Sequence, residues 1–387
     1  MATIWNRRFI IALFGYLFLF MSMTLYFLFP LYLEQLSAQR GRIGLIMGIH
    51  SLTAIFVRPF FGRLIDLRGR KKISLAGIGF LILVIPFFHF IKDAGALPVL
   101  LRALTGVGWG ISMTATLTIC SDLAPVERLA RSMGIIGVAG LLSVACGPIL
   151  AEIIILRWGF HVLFNTSLAF LAAAFFLILF TPETVRLWSR PEKGKESLFH
   201  IRKISLGVLF FIGIMPVAHG SIRGAVVYFI ALFSQSLGIQ RIGPFFLLFS
   251  GAAILTRFGL GGLSDRYGRK RIILPAACLI GMNLVLISQL RSFWLLCLAG
   301  FIGGFGQGLI FPALSTYIID VFGKKHKGLA IGLYLTLFDI GMGLGSAFFG
   351  WISDLYGYKN MYLLCAGLLM TAAVLFTWKA PPASAGD

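Results

Sequence analysis

The chain alternates long apolar runs with short polar joints over its 387 residues. A helix needs roughly 20 apolar residues to cross a ~30 Å hydrocarbon core at 1.5 Å per residue. Runs of about that length fall at about 9–29, 43–62, 73–91, 97–120, 132–156 and 160–181 in the first half. In the second half they fall at about 205–233, 241–262, 272–290, 293–319, 328–350 and 360–378, making twelve. None alternates apolar and polar residues with strand period. Backbone inside lipid must bond to itself, so the runs predict spanning helices rather than barrel strands. The expected fold is an all-α polytopic membrane protein with 12 transmembrane helices.

The polar joints organise the chain. The longest, Pro182 to Lys203, carries Glu183, Arg186, Arg190, Glu192, Lys193, Lys195, Glu196, Arg202 and Lys203. It reads as a solvated linker. The expected parts are therefore a six-helix bundle over 1–181, a linker over 182–204 and a second six-helix bundle over 205–387. Arg7 and Arg8 ahead of the first run resemble the start of a signal peptide, but no small-x-small cleavage site follows. A retained first helix is expected.

Composition sharpens this reading. Hydrophobic residues make up 58% and charged residues 12%, against about 25% charged in a soluble domain. A soluble enzyme, a disordered chain and a coiled coil are excluded on that ground. The net charge of +20 would suggest nucleic acid in a soluble protein. Its placement says otherwise. Of 34 Lys and Arg, 23 fall in the termini and in joints on the N-terminal side of the membrane, 7 in joints on the other side, and 4 inside runs. The positive-inside rule then puts both termini and the linker in the cytoplasm. The expected location is the cell inner membrane, with lipid as its surroundings. The five cysteines have no metal-ligand spacing and read as small buried hydrophobes. No Walker-type phosphate loop occurs, so ATP-driven transport has no support. No enzyme activity, metal or organic cofactor is expected.

The halves repeat each other. Fifteen residues from Arg58, containing Gly62, Leu64, Asp66, Gly69, Arg70 and Lys71, match fifteen from Arg257, containing Gly261, Leu263, Asp265, Gly268, Arg269 and Lys270, at an offset of 199 with seven identities. Gly106, Gly108 and Gly110 correspond to Gly304, Gly306 and Gly308 at an offset of 198, and Asp122 to Asp320. A third match sets Gly134, Ser143 and Gly147 against Gly332, Gly341 and Gly345. Two pseudo-symmetric bundles related as a parallel repeat account for all three. Asp66 and Asp265 fall at the membrane boundary, within reach of helix N-termini and basic side chains. Arg70 can reach Asp122, and Arg269 can reach Asp320. A purely topological role for these cations is the competing reading.

With these residues on the page, the chain resembles the major facilitator superfamily, and most of all its 12-helix drug/metabolite–proton antiporters. The loop signature G-x-L-x-D-R/K-x-G-R-R/K is matched better by the second copy, with Arg266, than by the first, where Leu67 replaces the basic residue. Pro182-Glu183-Thr184 is also similar to the family. The resemblance implies alternating access by two rocking bundles. It also implies a charge relay through Asp66, Arg70, Asp265 and Arg269 that locks one state, and a monomeric protein.

Charges within the runs are functional candidates because they are costly in lipid. Arg223 and Asp339 lie mid-run at similar depth, which suggests an ion pair, with His219 one turn before Arg223. Asp339 is then the first candidate for a titrating carboxylate, and a static structural pair is the alternative. Arg102 begins R-x-x-x-G-x-G, which the resemblance ties to proton coupling or substrate contact; the plain alternative is an Arg snorkelling to the outer interface. Glu34 and Glu152 near the outer face are weaker candidates for proton entry. Family antiporters carry a glycine pattern in the fifth helix. Here Gly134, Gly147 and Pro148 keep it, while Ser143, Ala151 and Glu152 depart. The resemblance also places Tyr16, Tyr26, Trp109, Tyr228, Gln307 and Phe311 on a substrate cavity.

The expected function is secondary active transport of a small organic molecule, with proton-coupled efflux of a lipophilic or amphipathic compound as the leading form. Import of an organic anion, bound by Arg102 and Arg223, is the runner-up. A membrane receptor without flux is the third reading, and the lack of a large soluble stretch argues against it.

Overall fold

A computed structural model describes residues 6–125, 128–184, 206–260, 267–322 and 327–381. Every regular element among them is helical. Helix α1 (Arg7–Thr24) runs through a 3-10 turn, Leu25–Leu28, into α2 (Phe29–Gln35), whose first turn holds Pro30. There follow α3 (Arg40–Arg68), α4 (Arg70–Val84) with a 3-10 extension over Ile85–Phe90, α5 (Ala96–Leu123) and α6 (Leu129–Leu179). The second half holds α7 (Leu206–Ser236), α8 (Gly243–Leu260), α9 (Arg269–Ser288), α10 (Phe293–Phe322) and α11 (Lys327–Lys379).

The described residues contain ten helical stretches long and apolar enough to cross a membrane. Two of these, on α6 and α11, have 49 and 51 residues, twice the length of one crossing. Each is broken once, at Gly159 (φ 79°) and at Gly357 (φ 77°). That conformation favours glycine, which has no Cβ to clash. Split at these breaks, the ten stretches become twelve, in agreement with the apolar runs. The helices overrun the apolar runs at their polar ends. The first stretch extends over Arg7–Gln35 rather than 9–29, because intrahelical bonding continues past the residues that must face lipid.

By contact the chain divides into two compact units. The first lies within 1–189 together with 241–246, and the second within 190–240 and 247–387. In the first, α1 lies along α6, and α5 is flanked by α3 and α4. In the second, α7 lies along α11, and α9 packs on both α10 and α11.

The same glycine contacts set both interiors. A Cβ at Gly106 would drive into the His50 carbonyl, and one at Gly304 into the Phe249 carbonyl. A Cβ at Gly110 would come within 3.0 Å of the Ala54 oxygen, and one at Gly308 within 2.9 Å of the Ala253 oxygen. The partners are themselves offset by 199 positions, so the repeat in sequence is a repeat in packing. Lipid tails are as apolar as the side chains, so helices associate through such close backbone approach rather than through hydrophobic burial.

Candidate functional site

At the loop end of the first unit, Gly69 (φ 108°) separates α3 from α4. The start of α4, Arg70-Lys71-Lys72, has no acidic residue in its first turn. Glu183 supplies the missing charge: its Oε1 accepts from the backbone N–H of Arg70 at 2.8 Å and of Lys71 at 3.4 Å. A carboxylate here satisfies orphan amides and opposes the positive end of the helix dipole. Arg70 Nη1 is paired with Asp122 Oδ2 near the end of α5, and the Thr184 hydroxyl donates to the same oxygen at 2.7 Å. Pro182-Glu183-Thr184 is therefore more than a helix stop. It ties the chain leaving α6 to α4 and α5. Sequence reasoning gave Glu183 and Thr184 no role; the signal was a cationic helix start with no local cap.

The second unit carries a plainer version. Gly268 (φ 91°) precedes α9, and Arg269 Nε meets Asp320 Oδ2 at 3.1 Å. Gly261 and Asp265 lie outside the described residues. Asp66 occupies the last turn of α3, and Gly62 has open space around its Cα.

Arg102 does not snorkel. It is 1% exposed, on α5, among the largest fully buried side chains. It lines a cavity inside the first unit with Tyr26, His50, Thr105, Trp109 and Ser167. Its guanidinium carbon lies 5.8 Å from the Tyr26 ring centroid. His50, on α3, is 2% exposed, and its Nδ1 is 3.3 Å from Thr105 Oγ1. The sequence gave no reason to single out His50, since a lone histidine in an apolar run most often satisfies its bonds locally.

A second cavity lies inside the second unit, lined by His219, Arg223, Phe249, Asn283 and Gln307 among others. Here the sequence expectation fails: no ion pair joins Arg223 to Asp339 among the described residues. The Arg223 guanidinium carbon sits 4.6 Å over the Phe249 ring, and His219 Nε2 is 2.8 Å from Gln307 Oε1. Asp339 is on α11 and does not line this cavity. The depth argument ignored the rotational position of each residue on its helix. Close packing of Gly220 against the Phe338 carbonyl and of Gly224 against Met342 fixes how α7 meets α11.

The expected cavity residues divide. Tyr26 and Trp109 line the first cavity and Gln307 the second. Tyr16, Tyr228 and Phe311 line neither. Tyr16 lies tilted beside Phe20, and Phe311 meets Tyr334 edge-on at 5.4 Å, with the Arg257 guanidinium carbon 5.6 Å from the Phe311 ring centroid. On α6, Gly147 admits Thr24, whose hydroxyl donates to the Ser143 carbonyl at 3.0 Å. Ser143, which departs from the antiporter pattern, donates back to the Leu17 carbonyl at 3.3 Å. Pro148 lies within α6, and Gly134 has no neighbour that a Cβ would meet within 4 Å. Glu152 Oε2 accepts from the N–H groups of Ile242 at 2.7 Å and Gly243 at 2.5 Å, a segment that groups with the first unit.

Repeated helical bundles with polar cavities buried in each define a polytopic transporter fold. Comparison with known proteins gives the family. The model of the Major Facilitator Superfamily matches residues 11–282 and 245–387, and the chain belongs to that family. Among curated proteins, Multidrug resistance protein MdtG of Citrobacter koseri is 26% identical, covering 97% of this chain and 95% of its own. The MdtG of Escherichia coli O1:K1 / APEC is also 26% identical, at 97% and 94%. Among solved structures, a bacterial homologue of the human lysosomal transporter Spinster aligns at TM-score 0.80 with 12% identity, covering 96% of both chains. The nucleoside transporter NupG aligns at TM-score 0.78 with 15% identity over 97% of this chain and all of its own. These last two establish the fold alone.

Proposed function

We propose that the protein exports a lipophilic or amphipathic organic molecule across the inner membrane in exchange for protons. The observation that carries this reading is its similarity along nearly the whole chain to proteins named for multidrug resistance. The partly kept glycine pattern of α6, with Gly147 and Pro148, supports the antiport form, and the buried Arg102 supports a site for coupling. The cationic joints support an orientation with both termini in the cytoplasm. The working unit is a monomer whose ligands are a small molecule, protons and lipid.

Proteoliposomes loaded with a lipophilic dye, with an imposed pH gradient, test it. Efflux should be accompanied by proton counterflow and abolished by a protonophore. Accumulation of an organic anion with co-moving protons would instead establish an importer. Absence of flux together with recovery of a stable protein partner would establish a receptor.

A further inference from the structure

Two histidines meet at the end of the first unit away from the Gly69 joint. His89 is in the 3-10 extension of α4, and His161 lies just past the Gly159 break in α6. Their Nδ1 atoms are 2.9 Å apart, although 72 positions separate them in the chain. One turn beyond His161 on the same face of α6, Asn165 Oδ1 lies 3.0 Å from His89 Nε2. The two rings are within 14° of parallel, and the buried Phe164 meets both at nearly right angles. Phe164 is a shared wall that orients the pair. His89 is half-buried, whereas His161 and Asn165 are exposed.

The hydrogen bonds fix which nitrogen carries each proton. Asn165 Oδ1 accepts, so the neutral His89 ring holds its proton on Nε2 and a lone pair on Nδ1. His161 then donates from Nδ1, and its Nε2 holds the lone pair. Metal-ligating histidines are oriented in the same way as His89, by donation from the second ring nitrogen to a nearby oxygen. Two imidazole nitrogens at about 2.0–2.1 Å from one ion, and about 90° apart around it, stand about 2.8–3.0 Å from each other. The separation of the Nδ1 atoms falls in that range. Turning each ring off the line between them aims both lone pairs at one point, once the His161 proton moves from Nδ1 to Nε2. Two metal–nitrogen bonds then replace one hydrogen bond, with no net release of protons.

We propose that His89 and His161 bind one divalent transition-metal ion, with Asn165 as a positioning residue. Among the described residues no third His, Cys, Asp or Glu joins the group, so water fills the remaining positions on the ion. Imidazole ligands near right angles suit copper(II) and nickel(II) over the hard, oxygen-seeking magnesium and calcium. The exposed side of His161 is the entry path. The bound ion links the extension of α4 to the second length of α6. The site is contained in the first unit and needs no transported compound.

The full-length protein, purified in detergent through a tag without histidines, is held in a non-chelating buffer at pH 8, where an ordinary imidazole is neutral. Equilibrium dialysis against copper(II), nickel(II) or magnesium reads binding, and a thermal-shift assay reads stability. Saturable binding of one copper or nickel ion per protein, with a raised melting temperature and no response to magnesium, is the expected result. The electron paramagnetic resonance spectrum of the copper form should show coupling to two imidazole nitrogens. The double variant His89→Gln, His161→Gln should lose the ion. Asn165→Leu should weaken binding by about tenfold, whereas Asn165→Asp, which makes His89 a more basic ligand, should tighten it. No binding, or an equal response to magnesium, overturns the proposal. Copper bound without imidazole coupling in the wild type also overturns it, as does unchanged binding in a folded double variant. None of these readouts involves flux, so failure here and failure of the efflux reading are distinguishable.

Discussion

The two units share a backbone plan and differ in what they bury inside it. Position for position, Gly106 and Gly304 close on equivalent carbonyls, Gly108 and Gly306 close on Leu81 and Ile280, and a small cavity lies beside these contacts in each unit. In the first cavity His50 stands on α3, where the second has Phe249 on α8, and Trp109 stands where the second has Gln307. The cation comes from α5 in the first, as Arg102, and from α7 in the second, as Arg223. The histidine of the second cavity is tied through Nε2 to Gln307 and that of the first through Nδ1 to Thr105, and each keeps its other ring nitrogen buried without a hydrogen-bond partner. Packing, which both halves need, has been held at small residues. The polar groups, which the packing does not dictate, have diverged.

Steric substitution should test the shared plan most severely. Gly106→Leu and Gly304→Leu force a side chain into backbone that cannot yield, and each should cost upwards of about 3 kcal/mol. The check is loss of a monodisperse peak in fluorescence-detected size-exclusion chromatography. An effect at one position and none at the other would break the equivalence. Asp122→Asn should follow, at about 2–3 kcal/mol, because it loosens Arg70 and Thr184 together in a partly buried site. Asp320→Asn, facing an ion pair with both side chains 22% exposed, should cost about 1 kcal/mol. Thermal shift of the two variants side by side measures the asymmetry.

Glu183→Gln should lower stability by about 1 kcal/mol through loss of the charge that caps α4. Its effect should shrink in high salt, as screening predicts. At the bottom of the scale, Gly134→Ala should lie within about 1 kcal/mol of wild type, on the stabilising side, since open space surrounds it and alanine is the better helix former. A large loss of stability there would show that the glycine serves a second conformation.

Much of the fold was legible because the bilayer imposes a length on every crossing. Twelve apolar runs gave twelve helical segments, with only the glycine breaks at Gly159 and Gly357 disguising two pairs as single helices. The Arg70–Asp122 and Arg269–Asp320 contacts were also within reach of the sequence, because the repeat put each pair at matching helix ends. The proposed partnership of Arg223 with Asp339 was not, since equal depth leaves the facing direction free. Nor was the setting of His50, which comes from Arg102 and Thr105 some fifty positions away.

The sequence by itself therefore determined the number of crossings, the division into repeated halves, the family and the ends where charge collects. Each of these follows from one-dimensional quantities: run length, spacing and the distribution of charge along the chain. Only the tertiary structure decided which polar groups meet inside each unit. A helix turns 100° per residue, so a single position shifts a side chain from lipid to cavity, and the glycine contacts that set this rotation act between helices far apart in the chain.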